Sequence, residues 1–190
     1  MSTSPRIYVA DLAAYNAGHL HGRWIDLDET TTQDELQEQV DAILAEGTRL
    51  YCHETLSVHE EYAIHDYEGF GPIRVGEYDS LDTIVSHVER MGDEPAKFFA
   101  YVDAMGSHYA DQYDPETVEG PYESEVDYAY QWLDAAIGTD DVVEWARENG
   151  MPEALTYGLK FDPEAFMYAL KCNSAISFGT YDGAVYVVEG

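Results

Sequence analysis

The residues best suited to chemistry lie in CHETLSVHEEYAIHDYE, residues 52–68, where His53, His59 and His65 recur every six positions beside Glu54, Glu60 and Glu61. Imidazole and carboxylate side chains together can hold a divalent metal or move a proton. The spacing speaks against a metal. Neither His53-Glu54 nor His59-Glu60 continues into His-Glu-x-x-His, the pattern that sets two imidazoles on one helix face. Cys52-His53 lacks the paired spacing of a structural zinc site. These histidines are expected at polar strand and loop positions with their nitrogens satisfied. Asp140-Asp141 is a carboxylate pair, but among 38 Asp and Glu residues such proximity is uninformative about catalysis. The pair more naturally favours a helix N-terminus. No Gly-x-Gly-x-x-Gly, phosphate loop or Gly-x-Ser-x-Gly elbow occurs. No catalytic residue, cofactor or metal is expected.

The elements around these residues read as an α+β chain in three segments. In residues 1–75, a small α/β unit, RIYVAD (6–11) and HGRWIDL (21–27) are strand candidates, joined by a loop containing Tyr15, Asn16, Ala17 and Gly18. Thr32 and Glu35 have capping-box spacing, Leu36, Val40, Ile43 and Leu44 make a helical stripe, and Gly47 sits where a C-terminal cap belongs. YAIHDYEG (62–69) predicts a third strand, with Ala63, His65 and Tyr67 on one face and Tyr62, Ile64 and Asp66 on the other. Residues 76–150 predict a mainly helical, acidic domain. Its apolar stripes are Leu81, Ile84, Val85, Val88 and Met91; then Phe98, Tyr101, Val102 and Met105; then Val126, Tyr130, Leu133 and Ile137. Thr139 can cap a further helix running to Asn149-Gly150, with Val142, Val143 and Ala146 inward. Residues 151–190 return to α/β, with a helix opened by Asp162-Pro163 and strands near 174–179 and 184–188 around the hairpin signal Tyr181-Asp182-Gly183.

Charge is the feature that stands out. The 190 residues carry 9 Lys and Arg against 38 Asp and Glu, a formal net charge of -29. Nucleic acid is excluded as a direct ligand, because binding phosphates needs basic surface; a basic partner is the expectation. The charge is uneven. Between Lys97 and Arg147 there is no Lys or Arg, and this stretch holds Asp103, Asp111, Asp114, Glu116, Glu119, Glu123, Glu125, Asp127, Asp134, Asp140, Asp141 and Glu144. Unpaired charges are almost never buried, so these twelve should line the surface. Neighbours stand about 6 Å apart on a helix and about 6.8 Å on a strand, spacings able to imitate a row of phosphates. Arg23 and Arg74 read as local ion-pair partners. The last forty residues carry 5 acids and 2 bases, together with Phe161, Phe166, Met167, Tyr168, Leu170 and Phe178. This least repulsive, apolar end is the expected dimer interface. Two chains would carry the charge of roughly 100 Å of duplex DNA, against about 80 Å spanned by two compact globules, which favours an elongated shape.

Acidity alone is also compatible with a generic acidic protein-binding module, or with a salt-adapted domain of unrelated activity. Cys52 and Cys172 show no pairing pattern, MSTSPR lacks the form of a secretion signal, and no apolar run approaches a membrane span. A cytoplasmic protein is the expectation.

The stretch IYVADLAAYNAGHLHGRWIDL (7–27) resembles the opening of the ArdA antirestriction family, through Leu12, Tyr15, Asn16, Gly18, Gly22, Trp24 and Asp26. EEYAIHDYEGF (60–70) is similar to the family's Asp-Tyr-Glu segment, and MPEALTYGLKFDPEAFMYAL (151–170) to its C-terminal Pro-Glu and Glu-Ala-aromatic pattern. ISFGTYDGAVYVVE (176–189) matches in character, while residues 90–148 match in acidity alone. The resemblance implies a homodimeric DNA mimic, carried on mobile genetic elements. Such a protein inhibits type I restriction-modification enzymes by occupying the DNA groove of the methyltransferase core, without catalysis or cofactor.

Overall fold

The computed structural model describes residues 4–173 and 176–189 and confirms the α+β class. Strand β1 (Arg6–Asp11) is the centre of a three-stranded antiparallel sheet, flanked by β2 (Gly22–Asp26) and β3 (Tyr62–Glu68). The expected loop between the first two strands contains a short helix, α1 (Leu12–Asn16). It starts because Asp11 Oδ1 accepts the Ala14 amide at 3.0 Å, a cap the apolar pattern does not reveal.

Helix α2 (Gln33–Thr55) opens with the predicted capping box: Thr32 accepts the Glu35 amide and Glu35 accepts the Thr32 amide. Its cap is nine residues later than expected. Gly47 is not a cap but a buried residue in the helix interior, where a Cβ would stand 1.9 Å from Asp11 Oδ2. The helix ends instead at Leu56, in the left-handed region at φ 57°, whose amide donates to Cys52 O.

The two-face reading of β3 fails at its centre. The register passes from Tyr8 opposite Asp66 to Val9 opposite Ile64, so His65 is the extra residue of a bulge. Consecutive Ala63 and Ile64 are consequently both buried.

Helices α3 (Leu81–Met91) and α4 (Pro95–Met105) follow. Ser80 caps α3 through the Thr83 amide, and Leu81, Ile84, Val88 and Met91 form its buried stripe. In α4, five consecutive residues, Phe98 to Val102, are buried, so this helix has core on every side rather than one apolar stripe. It packs on α3 and on a second antiparallel sheet of order β4-β6-β5, made by β4 (Val118–Tyr122), β5 (Ile176–Tyr181) and β6 (Ala184–Glu189). One apolar cluster runs from Ile7 and Ile25 through Phe70, Phe98 and Phe99 to Tyr186 and Val188. Each fully buried phenylalanine contributes about 1.5–3 kcal/mol of transfer free energy.

Strand β4 was not expected: it lies inside the 76–150 segment yet pairs with β6 of the C-terminal segment. The hairpin between β5 and β6 follows the prediction, since Asp182 and Gly183 both have positive φ. Residues 174 and 175 of the predicted strand lie outside the described residues.

The remaining helices are α5 (Glu125–Ile137), α6 (Val142–Glu148), α7 (Glu153–Thr156) and α8 (Pro163–Asn173). In α5 the buried pair is Ala129 and Leu133, whereas Val126 and Tyr130 of the predicted stripe are exposed. Among the described residues, no helix is long and apolar enough to cross a membrane.

Candidate functional site

The twelve carboxylates between Lys97 and Arg147 are spread over successive elements: Asp103 on α4, Asp111, Asp114 and Glu116 on or between two short 3-10 turns, Glu119 on β4, Glu123 on the bend before α5, Glu125, Asp127 and Asp134 on α5, and Asp140, Asp141 and Glu144 at the start of α6. Ten are exposed, Glu125 and Asp127 are half-buried, and none is buried. Among the described residues, two of the twelve meet a Lys or Arg. Asp111 lies 3.3 Å from Arg90, and Glu125 2.6 Å from Lys171. Ten therefore keep an uncompensated charge among the described residues.

Several of these anions are fixed by the fold itself. Asp114 accepts the Glu116 amide at 2.9 Å. Asp127 accepts the Glu123 amide and the Gln131 side chain, while Ser124 caps α5 through the Asp127 amide. Asp141, not Thr139, is the cap of α6, accepting the Val143 and Glu144 amides; Thr139 in turn accepts the Asp141 amide. Asp103 reaches across to β5 and accepts both the amide and the hydroxyl of Thr180. These bonds use one or two of each carboxylate's roughly four lone-pair sites. Asp127, Asp141 and Glu144 also sit in or just before the first turn of a helix, where the dipole favours negative charge.

Two tyrosines of this stretch are shifted first by burial and then by nearby carboxylates. Burial, and then the Glu119 carboxylate, push the Tyr122 phenol up to about 12. Burial, followed by Glu94 and Asp114, does the same to Tyr113.

The six apolar residues of the C-terminal segment are divided in their placement. Met167 is buried and Phe161, Phe166, Leu170 and Phe178 are half-buried. Phe161 and Phe166 meet at a tilt, Phe161 packs edge-on against Tyr130 and Phe166 at a tilt against Trp132 of α5, and Phe178 meets Tyr128 edge-on. Tyr168 alone is largely exposed, at 73%. Leu155 and Tyr157, which the sequence reading did not single out, are exposed to a similar degree.

The three evenly spaced histidines go to different places. His53 is exposed near the end of α2, His65 occupies the β3 bulge against Tyr15, and His59 is buried beside Asp11. Among the described residues, no three His, Cys, Asp or Glu side chains gather as a metal would require. Arg23 pairs with Glu46 at 2.9 Å, whereas Arg74 makes no ion pair among the described residues.

None of the curated proteins compared with the chain matches it. The family model described as antirestriction protein (ArdA) matches residues 7–184. That span takes in β2 to β5, nearly all of β1, every carboxylate of the anionic stretch and the helices that carry them, and stops at the first residue of β6, so the chain belongs to the ArdA antirestriction protein family.

Proposed function

We propose that this protein is a non-catalytic inhibitor of type I restriction-modification enzymes, and that its carboxylates take the place of DNA phosphates in the groove of the methyltransferase core. The observation that carries this reading is the stretch between Lys97 and Arg147. It has twelve carboxylates, no Lys or Arg, no buried member, and two ion pairs. A groove built for phosphates presents Lys and Arg, which bind carboxylates through the same charge-assisted hydrogen bonds. Carboxylates already held by backbone amides lose less rotamer freedom on binding than free ones do. Family membership supports antirestriction as the outcome. No sequence readout and no bond-making is required of the chain.

The inhibitor acts as a homodimer in this reading, with Tyr168 and its C-terminal neighbours in the contact. Sedimentation velocity on wild type and Tyr168→Asp tests that part separately.

The functional test is DNA cleavage by a type I enzyme at rising inhibitor concentration and two ionic strengths. Inhibition should be strong at low salt and fall steeply towards 1 M, where the screening length shrinks to about 3 Å. Absence of inhibition, or inhibition indifferent to salt, contradicts the reading.

A further inference from the structure

The free edge of the N-terminal sheet carries a cleft that the anionic stretch does not line. Strand β3 pairs with β1 along one side alone. Next to its bulge the Ile64 amide donates to Glu77 O at 2.9 Å, which draws the segment before α3 alongside the strand. Here lies an open cleft of about 510 Å³, with the buried Ile64 and the half-buried Val75 as its apolar lining. Tyr15 of α1 lines it with 48% of its surface exposed, its ring edge-on to His65 with centroids 4.8 Å apart. Tyr67, half-buried, supplies a second aromatic ring.

Two carboxylates, Asp66 and Glu77, border this cleft, and among the described residues no Lys or Arg does. Asp66 Oδ1 accepts the Tyr67 amide at 2.9 Å, which holds the group in place. Glu77 Oε1 stands 4.0 Å from His65 Nε2, beyond hydrogen-bond reach. Arg74, next in the chain to Val75, is exposed, does not line the cleft and makes no ion pair among the described residues. Both carboxylates thus keep acceptor sites for a donor from outside. Carboxylates on open surface attract any cation, whereas carboxylates beside aromatic rings in a cleft select a flat, delocalised one.

We propose that this cleft is a binding site for an arginine side chain presented by a partner protein. The guanidinium stacks on Tyr15, whose ring face attracts a cation, and donates to Asp66 and Glu77. Its methylene stem covers Ile64 and Val75. Lysine is the poorer fit, because its compact, strongly hydrated charge gains less from a ring face. An added β-strand is also a poorer occupant, since the Ile64 amide at this edge is already bound to Glu77 O. The cleft is built from α1, β3 and the segment before α3, none of which carries any of the twelve carboxylates. It therefore stands or falls independently of the DNA-mimic reading, and adds a contact set by shape to a surface that attracts partners by charge.

The test titrates the isotope-labelled full chain with N-acetylargininamide, which imitates the side chain within a polypeptide, and follows the spectrum by NMR. N-acetylcitrullinamide, of the same shape without the charge, and N-acetyllysinamide serve as comparisons. The arginine compound should give saturable shifts of the Tyr15 and His65 rings and the Val75 methyls, larger than any in α5, and bind about fivefold or more tighter than the citrulline compound. Tyr15→Leu and, separately, Glu77→Gln should each weaken it about 2- to 5-fold; Glu77 is an exposed side chain, so its variant keeps the test intact if Tyr15→Leu folds poorly. Citrulline or lysine compounds that bind as well as arginine, shifts as large along α5 as at the cleft, or unchanged affinity in the folded variants overturn the proposal. Free arginine binding more tightly than the blocked compound also overturns it, by assigning the site to the amino acid rather than to a protein.

Discussion

Glu116, Glu123, Asp134, Asp140 and Glu144 can be replaced together by their amides without disturbing the fold. All five side chains are exposed, and among the described residues none makes an ion pair or caps a helix. Surface substitutions of this kind change stability by about 0.5 kcal/mol or less each, and here each relieves like-charge repulsion. Binding should respond differently. At about 0.5 kcal/mol per exposed charge pair, five lost charges weaken binding to a basic groove by about 2.5 kcal/mol, or about 70-fold in Kd at low ionic strength. The assay is titration of the methyltransferase core with native and amide protein, with denaturant unfolding as the control for integrity. At 1 M salt the difference should shrink to a few-fold, because a screening length of about 3 Å removes most of what the charges contribute. A folded amide variant that binds and inhibits as well as the native protein at low salt would refute the argument that this stretch carries the function.

Other expectations test the fold. At Gly179 a Cβ would lie 1.8 Å from Ala100 O, a backbone atom of α4 that cannot turn aside. Gly179→Ala should therefore cost about 3 kcal/mol or more, while Gly138→Ala, in open space at φ 78°, costs about 1 kcal/mol; equal losses by denaturant titration would contradict this. Leu56 is 87% exposed and left-handed at φ 57°, so Leu56→Gly should stabilise the protein by about 1 kcal/mol, and a lower Tm would count against the assigned helix end. Burial, then Arg90, hold the His87 ring below its ordinary pKa, and its buried Nδ1 has no partner among the described residues. The folded state keeps this ring neutral while the unfolded chain takes up a proton below about pH 6.5, so its penalty grows as pH falls through that value. His87→Leu should gain about 1 kcal/mol, and more at pH 5 than at pH 8; a gain independent of pH would show that protonation is not involved.

Local signals that act within one turn were legible in the sequence. The Thr32/Glu35 capping box and the Asp182-Gly183 hairpin turn both form as their residue types dictate. What escaped depends on partners distant in the chain. Gly47 looks like a helix end, yet its role is set by Asp11, 36 positions away, whose carboxylate occupies the space of the missing side chain. Period-2 reading of β3 breaks at His65 because register is decided by the partner strand β1. Strand β4 was hidden by Gly120 and Pro121, residues that signal turns, although β6 pairs with it on either side of the irregularity. The inward face of α5 centres on Ala129 and Leu133 rather than on Val126 and Tyr130, and this helix packs on α8, an element distant in the chain. For the candidate surface, absence of Lys and Arg could be read directly. Its fixed geometry could not, because Asp103 is held by Thr180, 77 positions away.

The central claim, that this chain occupies the place of duplex DNA, is tested most directly by competition. Labelled duplex is bound to the methyltransferase core of a type I enzyme, and the protein is titrated in while duplex release and protein binding are followed together. The account predicts that each inhibitor bound expels one duplex, with an apparent affinity that falls as the duplex concentration is raised. A stable complex holding enzyme, duplex and inhibitor at once would contradict it.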